Sequence, residues 1–180
     1  MKVRTQMHED TMSDPDLFKR GMRRLAAGVS VITTLDDGRP AGFVATAVTS
    51  VCADPAPSLL ICVNRSASCH AVIHKSGIFC VNVLGEGDVE IANLFSSREH
   101  RHRRFTDCDW EALETGAPAL TGALASFDCR VSEKMEVESH TVFLGRVATI
   151  KLWEREVHPL LYVDGHFDSL RSVALAKSAA

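Results

Sequence analysis

The chain has 180 residues, of which 46% are apolar and 24% are charged. Twenty Lys and Arg side chains stand against 23 Asp and Glu, which gives a net charge of −3 with neutral histidines. This length and apolar content suit one domain with a buried core and exclude a long disordered chain. The near-neutral balance argues against nucleic-acid binding, which favours a strongly basic surface.

The N-terminus and the cysteines indicate the compartment. The segment MKVRTQMHEDTMSDPD lacks the apolar centre of a secretory signal, and no run approaches the roughly 18 apolar residues of a membrane-spanning helix. We therefore expect a cytoplasmic protein with no membrane association. The six cysteines form no CxxC pair, and Cys62, Cys80 and Cys129 lie in apolar, strand-like runs. This pattern predicts reduced, mostly buried thiols rather than a disulfide framework or a metal site.

The first predicted element is an amphipathic helix. Residues 1–12 are polar and patternless, which predicts a flexible N-terminus. Ser13 and Asp16 then form a variant of a capping box, and Gly28 supplies a helix stop. Between them, apolar residues recur at helical spacing: Leu17, Phe18, Met22 and Leu25.

After Val29 the apolar period changes to two residues. The runs GVSVITT and AGFVATAVTSV flank a turn at 36–40 and predict a β-hairpin. Further along we expect a strand at 58–63, a short helix at 69–74, a strand at 78–84 and a charged helix at 87–105.

The second half of the chain again favours strands. Residues 126–132 alternate apolar and polar, and residues 140–153 suit one long strand in which Gly145 marks a bulge or a close approach. A short strand follows at 159–163, and residues 171–180 are predicted to be a flexible tail. The chain thus predicts one domain over 13–170, mainly β with flanking helices, in which about six antiparallel strands form a closed or partly closed barrel. Strand-helix alternation and a GxGxxG motif are absent, which argues against a Rossmann fold.

Small and hydroxyl side chains cluster in one strand of the predicted hairpin. Within GFVATAVTSVCADPAP (42–57) these are Ala45, Thr46, Ala47, Thr49 and Ser50. Small side chains let a flat ligand approach the backbone, and hydroxyls can bind its polar edge. A Thr-rich edge strand with no ligand explains the same residues.

Eight segments carry a family resemblance. They are LAAGVSVITT (25–34), the 42–57 block, LLICVNRSAS (59–68), GIFCVNVL (77–84), FSSREHRHRRF (95–105), TGAPALTGALASFDCRV (115–131), SHTVFLGRV (139–147) and PLLYVDGHF (159–167). Their order resembles the flavin reductase family of the split-barrel, FMN-binding type, the reductase components of two-component flavin-dependent monooxygenases. The resemblance spans about residues 17–167 and implies a six-stranded antiparallel Greek-key split barrel that assembles as a homodimer.

The resemblance also implies where a flavin binds. It assigns the ring edge and ribityl chain to Thr46, Ala47, Val48, Thr49 and Ser50, and the phosphate to Asn64, Arg65, Ser66 and Ser68, with Arg104 as a further candidate. An arginine beside short hydroxyl donors suits a phosphate. A polar loop that caps the next helix explains NRSAS equally. The basic run 98–104 is interpreted as an anion-facing loop, with a solvated surface as the alternative.

Two residues are implied on the nicotinamide side. The resemblance assigns His140 to a catalytic role beside the nicotinamide, where it orients the ring or shuttles a proton. Ser139 precedes it where relatives tend to have Gly-Asp, so the sequence departs from the family there. The resemblance also implies that the region of Tyr162 closes over the nicotinamide. A surface histidine and a packing aromatic are the alternatives. Cys52 follows the proposed flavin strand, so it is the thiol whose reactivity is worth testing.

The leading hypothesis is an NAD(P)H:flavin oxidoreductase that reduces FMN or FAD and supplies a partner monooxygenase. The sequence has no Ser-His-Asp arrangement, paired catalytic carboxylates or metal motif, as expected of an enzyme that positions two cofactors. Two alternatives stay open. One is a flavin-dependent reductase of a bound metal centre, either ferric iron or corrinoid cobalt. The other is a non-enzymatic dimer that binds flavin or haem.

Overall fold

The structure, a computed structural model, describes residues 14–170. The predicted flexible termini at 1–12 and 171–180, and Ser13, lie outside these residues. The helices are α1 (Pro15–Met22), α2 (His70–Ser76) and α3 (Val89–Ser96), with 3-10 turns at Glu86–Asp88 and Arg101–Arg103. No helix within 14–170 has the length and apolar character to cross a membrane.

Twelve strands are defined between residues 27 and 169. They are β1 (Ala27–Gly28), β2 (Ser30–Asp36), β3 (Arg39–Ala45), β4 (Val48–Cys52), β5 (Ser58–Asn64), β6 (Ile78–Val83), β7 (Trp110–Ala112), β8 (Pro118–Leu120), β9 (Ala125–Val137), β10 (His140–Leu152), β11 (Leu160–Val163) and β12 (His166–Ser169). Seven of them form one antiparallel sheet in the order β3-β2-β6-β9-β10-β5-β4. A mainly β, antiparallel fold is therefore confirmed.

The two edges of this sheet lie next to each other in the chain. β3 is one edge and β4 is the other, yet only Thr46 and Ala47 separate them. Three Cα steps span at most about 11 Å, so the sheet must curl until its edges approach each other at these two residues. No ladder joins β3 to β4 within residues 14–170. The expected six-stranded split barrel, closed or partly closed, is therefore not confirmed: the ladders give seven strands and an open sheet.

The core has two layers, one inside the curled sheet and one outside it. The inner layer is built from Ile32, Ile61, Phe79 and Phe143, all fully buried. The outer layer lies under α3 and the β11–β12 hairpin and contains Val29, Val31, Leu84, Phe95 and Leu160. Because β2 contributes to both layers, Ser30 to Thr34 are all buried.

The longest hairpin is formed by β9 and β10. Their ladder shifts register between Leu144 and Gly145. A Cβ atom on Gly145 would overlap the ring of Phe79 and come within 3.0 Å of Cys129 Cβ. Both the bulge and the close approach predicted at Gly145 are confirmed.

Two helix predictions were wrong at their ends. α1 is capped by Asp14, whose Oδ1 accepts the Asp16 amide at 2.9 Å, and it ends at Met22 rather than near Gly28. The predicted helix 87–105 ends at Ser96, because Ser97 adopts an extended backbone. Four short strands were not predicted: β1, β7, β8 and β12.

All six cysteines are free thiols. Cys69, Cys80 and Cys129 are buried, Cys62 and Cys108 are half-buried, and Cys52 is exposed. Burial raises the pKa of Cys69 to about 11 and that of Cys129 to about 12, so both thiols stay protonated at neutral pH. The reduced state is as predicted, but burial covers only three of the six.

Candidate functional site

A cavity of about 490 Å³ separates α1 from the junction of β3 and β4. Its lining residues are Phe18, Lys19, Met22, Arg23, Leu25, Ala27, Thr46, Ala47, Thr49 and Tyr162. A second cavity, of about 230 Å³, also borders Thr46 and Tyr162 and is lined further by Ser96 and Phe167. Thr46 and Tyr162 thus lie between two adjoining spaces.

The five residues predicted to hold the flavin ring divide between two faces of the strand. Thr46, Ala47 and Thr49 line the cavity under α1. Val48 and Ser50 instead line a separate apolar cavity of about 210 Å³, because Val48 stands opposite the buried Ile61. A strand alternates its side chains between faces, so one flat ligand cannot contact all five side chains from one side.

The backbone at this junction is accessible as well as the side chains. β4 pairs only with β5, so one side of β4 has no neighbouring strand among the described residues. The Ala47 carbonyl oxygen accepts the Cys62 amide at 3.3 Å. Because hydrogen bonds alternate along an antiparallel ladder, the Val48 amide lies on the open edge, where it can donate to a ligand.

The predicted phosphate loop, residues 64–68, begins where β5 ends. Asn64 Oδ1 accepts hydrogen bonds from both the amide and the hydroxyl of Ser66, each at 2.8 Å. Arg65 is exposed and lies 3.5 Å from Glu136, a weak surface ion pair. Ser68 is also exposed. The Arg65 guanidinium and the Ser68 hydroxyl therefore remain available to an anion, while Asn64 shapes the turn.

His140 lies at the same end of the sheet as this loop. It is the register partner of Asn64 in the β5–β10 ladder, and Ser139 Oγ lies 2.9 Å from its Nδ1. The ring is exposed. Continuing the β4–β5 register brings Thr46 opposite Val63, one residue from Asn64. The loop, His140 and the β3–β4 junction thus share one end of the sheet, although neither the loop nor His140 lines the cavity under α1.

Arg104 is placed differently from the other predicted phosphate residues. Its side chain is buried and donates to the carbonyl oxygens of Gly42 (2.8 Å), Leu94 (3.3 Å), Phe95 (2.9 Å) and Ser97 (2.6 Å). Burial, and after it the nearby Arg101 charge, lowers its pKa. Four of its five N–H groups are occupied, so Arg104 joins the end of α3 to β3 rather than facing a ligand.

The rest of the basic run lies beside α3. Arg103 pairs with Asp107 at 2.6 Å. Together with His100, Cys108 and residues of α3 they line a cavity of about 580 Å³, which none of the predicted flavin residues reaches. Between residues 14 and 170, no group of three His, Cys, Asp or Glu side chains is arranged to hold a metal ion.

Sequence reasoning missed the contribution of α1. In its apolar stripe, Phe18 is 64% exposed and Met22 is 49% exposed. Lys19 and Arg23, which line the cavity with them, were not singled out. A usable signal was present in the sequence, because KRGMRR interleaves cations with the apolar stripe.

Comparison with known proteins identifies the family. Residues 22–171 match the flavin reductase like domain. The FMN reductase (NADH) RutF of Methylorubrum populi is 42% identical over 157 residues, 87% of this chain and 77% of the relative. RutF of Cronobacter turicensis is 40% identical and covers 88% of this chain and 95% of its own.

Solved structures give the same result. The NADH:FAD oxidoreductase SgcE6 of Streptomyces globisporus C-1027, in complex with NAD and FAD fragments, has a TM-score of 0.81 at 31% identity, over 93% of this chain and 99% of its own. BorF, the flavin reductase component of a bacterial two-component tryptophan halogenase, has a TM-score of 0.79 at 32% identity, over 87% and 98%. The resemblance inferred from eight sequence segments is confirmed, and the chain belongs to the flavin reductase family.

Proposed function

We propose that this protein is an NADH-dependent FMN reductase. A flavin, when bound, accepts a hydride from a dihydronicotinamide. The observation that carries the proposal is the cavity under α1, which borders the small-residue junction of β3 and β4 in a chain of this family. The activity for which its relatives are named, FMN reductase (NADH), supports FMN and NADH over FAD and NADPH.

The residues around the cavity fit a flavin. Its volume of about 490 Å³ lies within the roughly 300–1,000 Å³ typical of small-molecule sites. Thr46 and Thr49 offer hydroxyls, and the side chain of Ala47 leaves the backbone approachable. No carboxylate is among the residues that line the cavity, so a flavin meets no like charge there.

Each residue on the flavin side of the proposed site has a binding role rather than a chemical one. Thr46, Ala47 and Thr49 contact the ring through side chains, while Val48 and Ser50 contribute backbone groups. The loop at 64–68 binds the phosphate through Arg65 and Ser68, while Ser66, whose amide and hydroxyl both donate to Asn64, holds the turn. We leave Arg104 out, because its donors are occupied inside the protein.

His140 and Tyr162 complete the proposed site on the nicotinamide side. His140 is exposed beside Asn64, so it is accessible to a ligand that extends from the junction to the loop. Tyr162 borders both cavities and packs edge-on against Phe167, with ring centres 5.6 Å apart. We propose that His140 orients the nicotinamide or exchanges a proton, and that Tyr162 excludes water from the rings.

We further propose that two copies associate. On the outer face of the sheet, Cys62, Val142 and Met135 stand in register across β5, β10 and β9. Met135 is 58% exposed and Val137 is 46% exposed, so this apolar face is uncovered in the isolated chain. In sedimentation, the wild type should have twice the chain mass, and the Met135→Lys variant should have the mass of a monomer. A monomeric wild type contradicts the proposal.

The expected barrel is also retained as a proposal. If β3 and β4 are counted as one strand bent at Thr46 and Ala47, the main sheet contains six strands. The two-residue connection supports this count. Equal protection of the β3 and β4 amides from hydrogen exchange would support this count.

Anaerobic turnover tests the main proposal. A catalytic amount of protein with NADH and excess FMN should bleach the visible flavin band, with a lower KM for NADH than for NADPH and for FMN than for FAD. Absence of turnover with either nucleotide overturns the proposal. Reduction by dithionite alone would indicate a flavin-binding protein, and NADH oxidation that requires ferric iron or a corrinoid would indicate a metal-centre reductase.

The supply of reduced flavin to a partner enzyme is tested separately. We propose that the reduced flavin leaves this protein for a monooxygenase component, by analogy with BorF, which is the reductase component of a two-component system. In air, substrate hydroxylation by a purified flavin monooxygenase should then require this protein, NADH and FMN together. Hydroxylation that proceeds equally well without this protein contradicts the proposal.

A further inference from the structure

We infer that Lys19 and Arg23 of the α1 segment bind the diphosphate of the dihydronicotinamide dinucleotide and so determine the affinity for the hydride donor. The inference rests on the proposed function, since it concerns the donor of that reaction. It assigns α1 a role in recognition that neither the family match nor the relatives' names state.

The positive charges of this segment divide into two matched pairs. Lys19 and Arg23 are four residues apart and both line the cavity, whereas Arg20 and Arg24, also four apart, do not. Side chains four residues apart share one face of a helix, so the two pairs lie on different sides of this segment. Only one pair is therefore directed at the space beside Thr46.

The cavity-facing pair is available to a ligand. Arg23 has no carboxylate partner among residues 14–170. Lys19 lies 3.1 Å from Asp16, but their side chains are 66% and 84% exposed, so this pair is weak. Two cations without a strong internal partner suit the two adjacent phosphates of a dinucleotide.

Apolar side chains close to these cations in the sequence line the same cavity. Phe18, Met22 and Leu25 line the same cavity and are each at least 49% exposed. The helix end is held in place, because the Asp164 amide donates to the Arg23 carbonyl oxygen at 2.6 Å. Asp164 follows the strand that carries Tyr162. Residues 18–25 thus line the cavity with both apolar and cationic side chains, which suits a flat ring that continues into a diphosphate.

The position of this pair separates donor binding from flavin binding. In the proposed site the flavin phosphate lies on the loop at 64–68, which does not line the cavity under α1. Loss of Lys19 and Arg23 should therefore weaken the donor and leave the flavin unaffected.

The test compares K19A/R23A with R20A/R24A, which removes the same charge from the same segment. For K19A/R23A, KM for NADH should rise about tenfold while kcat and KM for FMN change less than about twofold. N-benzyl-1,4-dihydronicotinamide, which has the ring but no phosphate, should keep its KM. R20A/R24A should match the wild type with both donors.

Binding of ADP-ribose by calorimetry provides a readout that needs no turnover. ADP-ribose carries the diphosphate without the nicotinamide, and K19A/R23A should bind it about tenfold more weakly than R20A/R24A does. If both double variants lose ADP-ribose affinity equally, the inference is overturned in favour of a general electrostatic effect of the segment. If K19A/R23A selectively raises KM for FMN, it is overturned in favour of a contact with the flavin phosphate. If neither donor reduces FMN with the wild type, the proposed function fails, while the ADP-ribose comparison still decides the role of the pair.

Discussion

Two regions of the sheet contain polar side chains and use them in opposite ways. Around Asn82 on β6, every polar group is paired inside the protein. Its Nδ2 donates to the Val31 carbonyl oxygen at 3.1 Å, and its Oδ1 accepts the Leu120 amide at 2.8 Å and the Ser126 hydroxyl at 2.9 Å. At the β3–β4 junction, the hydroxyls of Thr46 and Thr49 are exposed, and none of the hydrogen bonds found within residues 14–170 involves them.

This difference distinguishes residues that hold the fold from residues that are free for a ligand. A buried polar group must be paired, because leaving it unsatisfied costs about 1–3 kcal/mol. An exposed hydroxyl beside a cavity is hydrated and exchanges water for a ligand at little cost. Substitutions near Asn82 should therefore change stability, and substitutions near Thr46 should change activity.

Substitution of Arg104 should give the largest effect on stability. Arg104 resembles Asn82, because its donors are paired inside the protein, although the family resemblance assigned it to the flavin phosphate. Arg104→Ala removes the donors to four carbonyl oxygens and should lower the free energy of unfolding by about 4 kcal/mol. Arg104→Lys should not restore it, since an ammonium cannot match the guanidinium fork. Urea denaturation measures both. Unchanged stability with a raised Kd for FMN would instead support the phosphate role.

Asn82 should follow with a slightly smaller loss. Asn82→Ala leaves the Leu120 amide and the Ser126 hydroxyl without this acceptor, and we expect a loss of about 3 kcal/mol in urea denaturation. The kcat per folded molecule should stay within about twofold of the wild type. A variant of normal stability and reduced kcat would remove the distinction between the two regions.

Ala47 should show the opposite behaviour. Ala47→Leu introduces a branched side chain into the cavity and should raise KM for FMN at least about tenfold, while the free energy of unfolding changes by less than about 0.5 kcal/mol. Ala112→Leu, an exposed strand alanine far from this cavity in sequence and sheet, is the matched control and should leave KM unchanged. Equal kinetics for the two variants would contradict the proposed site.

His70 should give the smallest effect. Its Nε2 lies 2.8 Å from Thr141 Oγ1, and burial, followed by the charges of His74 and Arg65, lowers its pKa below 6.5, against a smaller opposing contribution from Glu136. The folded state therefore binds this proton less tightly than the unfolded state does. Stability should be complete above about pH 6.5 and should fall as the pH decreases toward the lowered pKa.

Urea denaturation at about pH 7.5 and about pH 5.5 measures this dependence. His70→Gln keeps a donor near the Nε2 position and removes the titration, so its stability should fall less between the two pH values. An equal loss in the wild type and in His70→Gln would assign the dependence to other groups. Lys134, which also faces this ring, adds repulsion to the protonated form.

The elements that could be predicted were those whose structure depends on one local sequence pattern. Period-two alternation located β2 and the first half of β9, and apolar runs located β5, β6 and β10. Gly145 marked the bulge in β10. The end of α3 was not predictable in this way. The run from Arg98 to Arg104 has helical composition, yet Ser97 leaves the helix and Arg104 turns back to bind its last carbonyls.

The site was predictable only in outline. Segment order identified the family and the junction at Thr46, but composition does not tell whether a guanidinium faces a phosphate or four backbone carbonyls. Periodicity likewise identified the apolar face of α1 without telling what covers it. Both answers depend on long-range packing, which brings Arg104 beside Gly42 and α1 beside Tyr162.

The interruption between β3 and β4 has a consequence for local opening of the protein. Each of these strands has one hydrogen-bonded neighbour, whereas β9 lies at the centre of the sheet between β6 and β10. Amide hydrogen exchange should therefore be fastest at the β3–β4 junction and slowest along β9, because edge strands open at low free-energy cost. Flavin bound at the junction would slow exchange there first. The ligand would then act as the missing neighbour of the two edge strands and stabilise the part of the sheet that the chain leaves least protected.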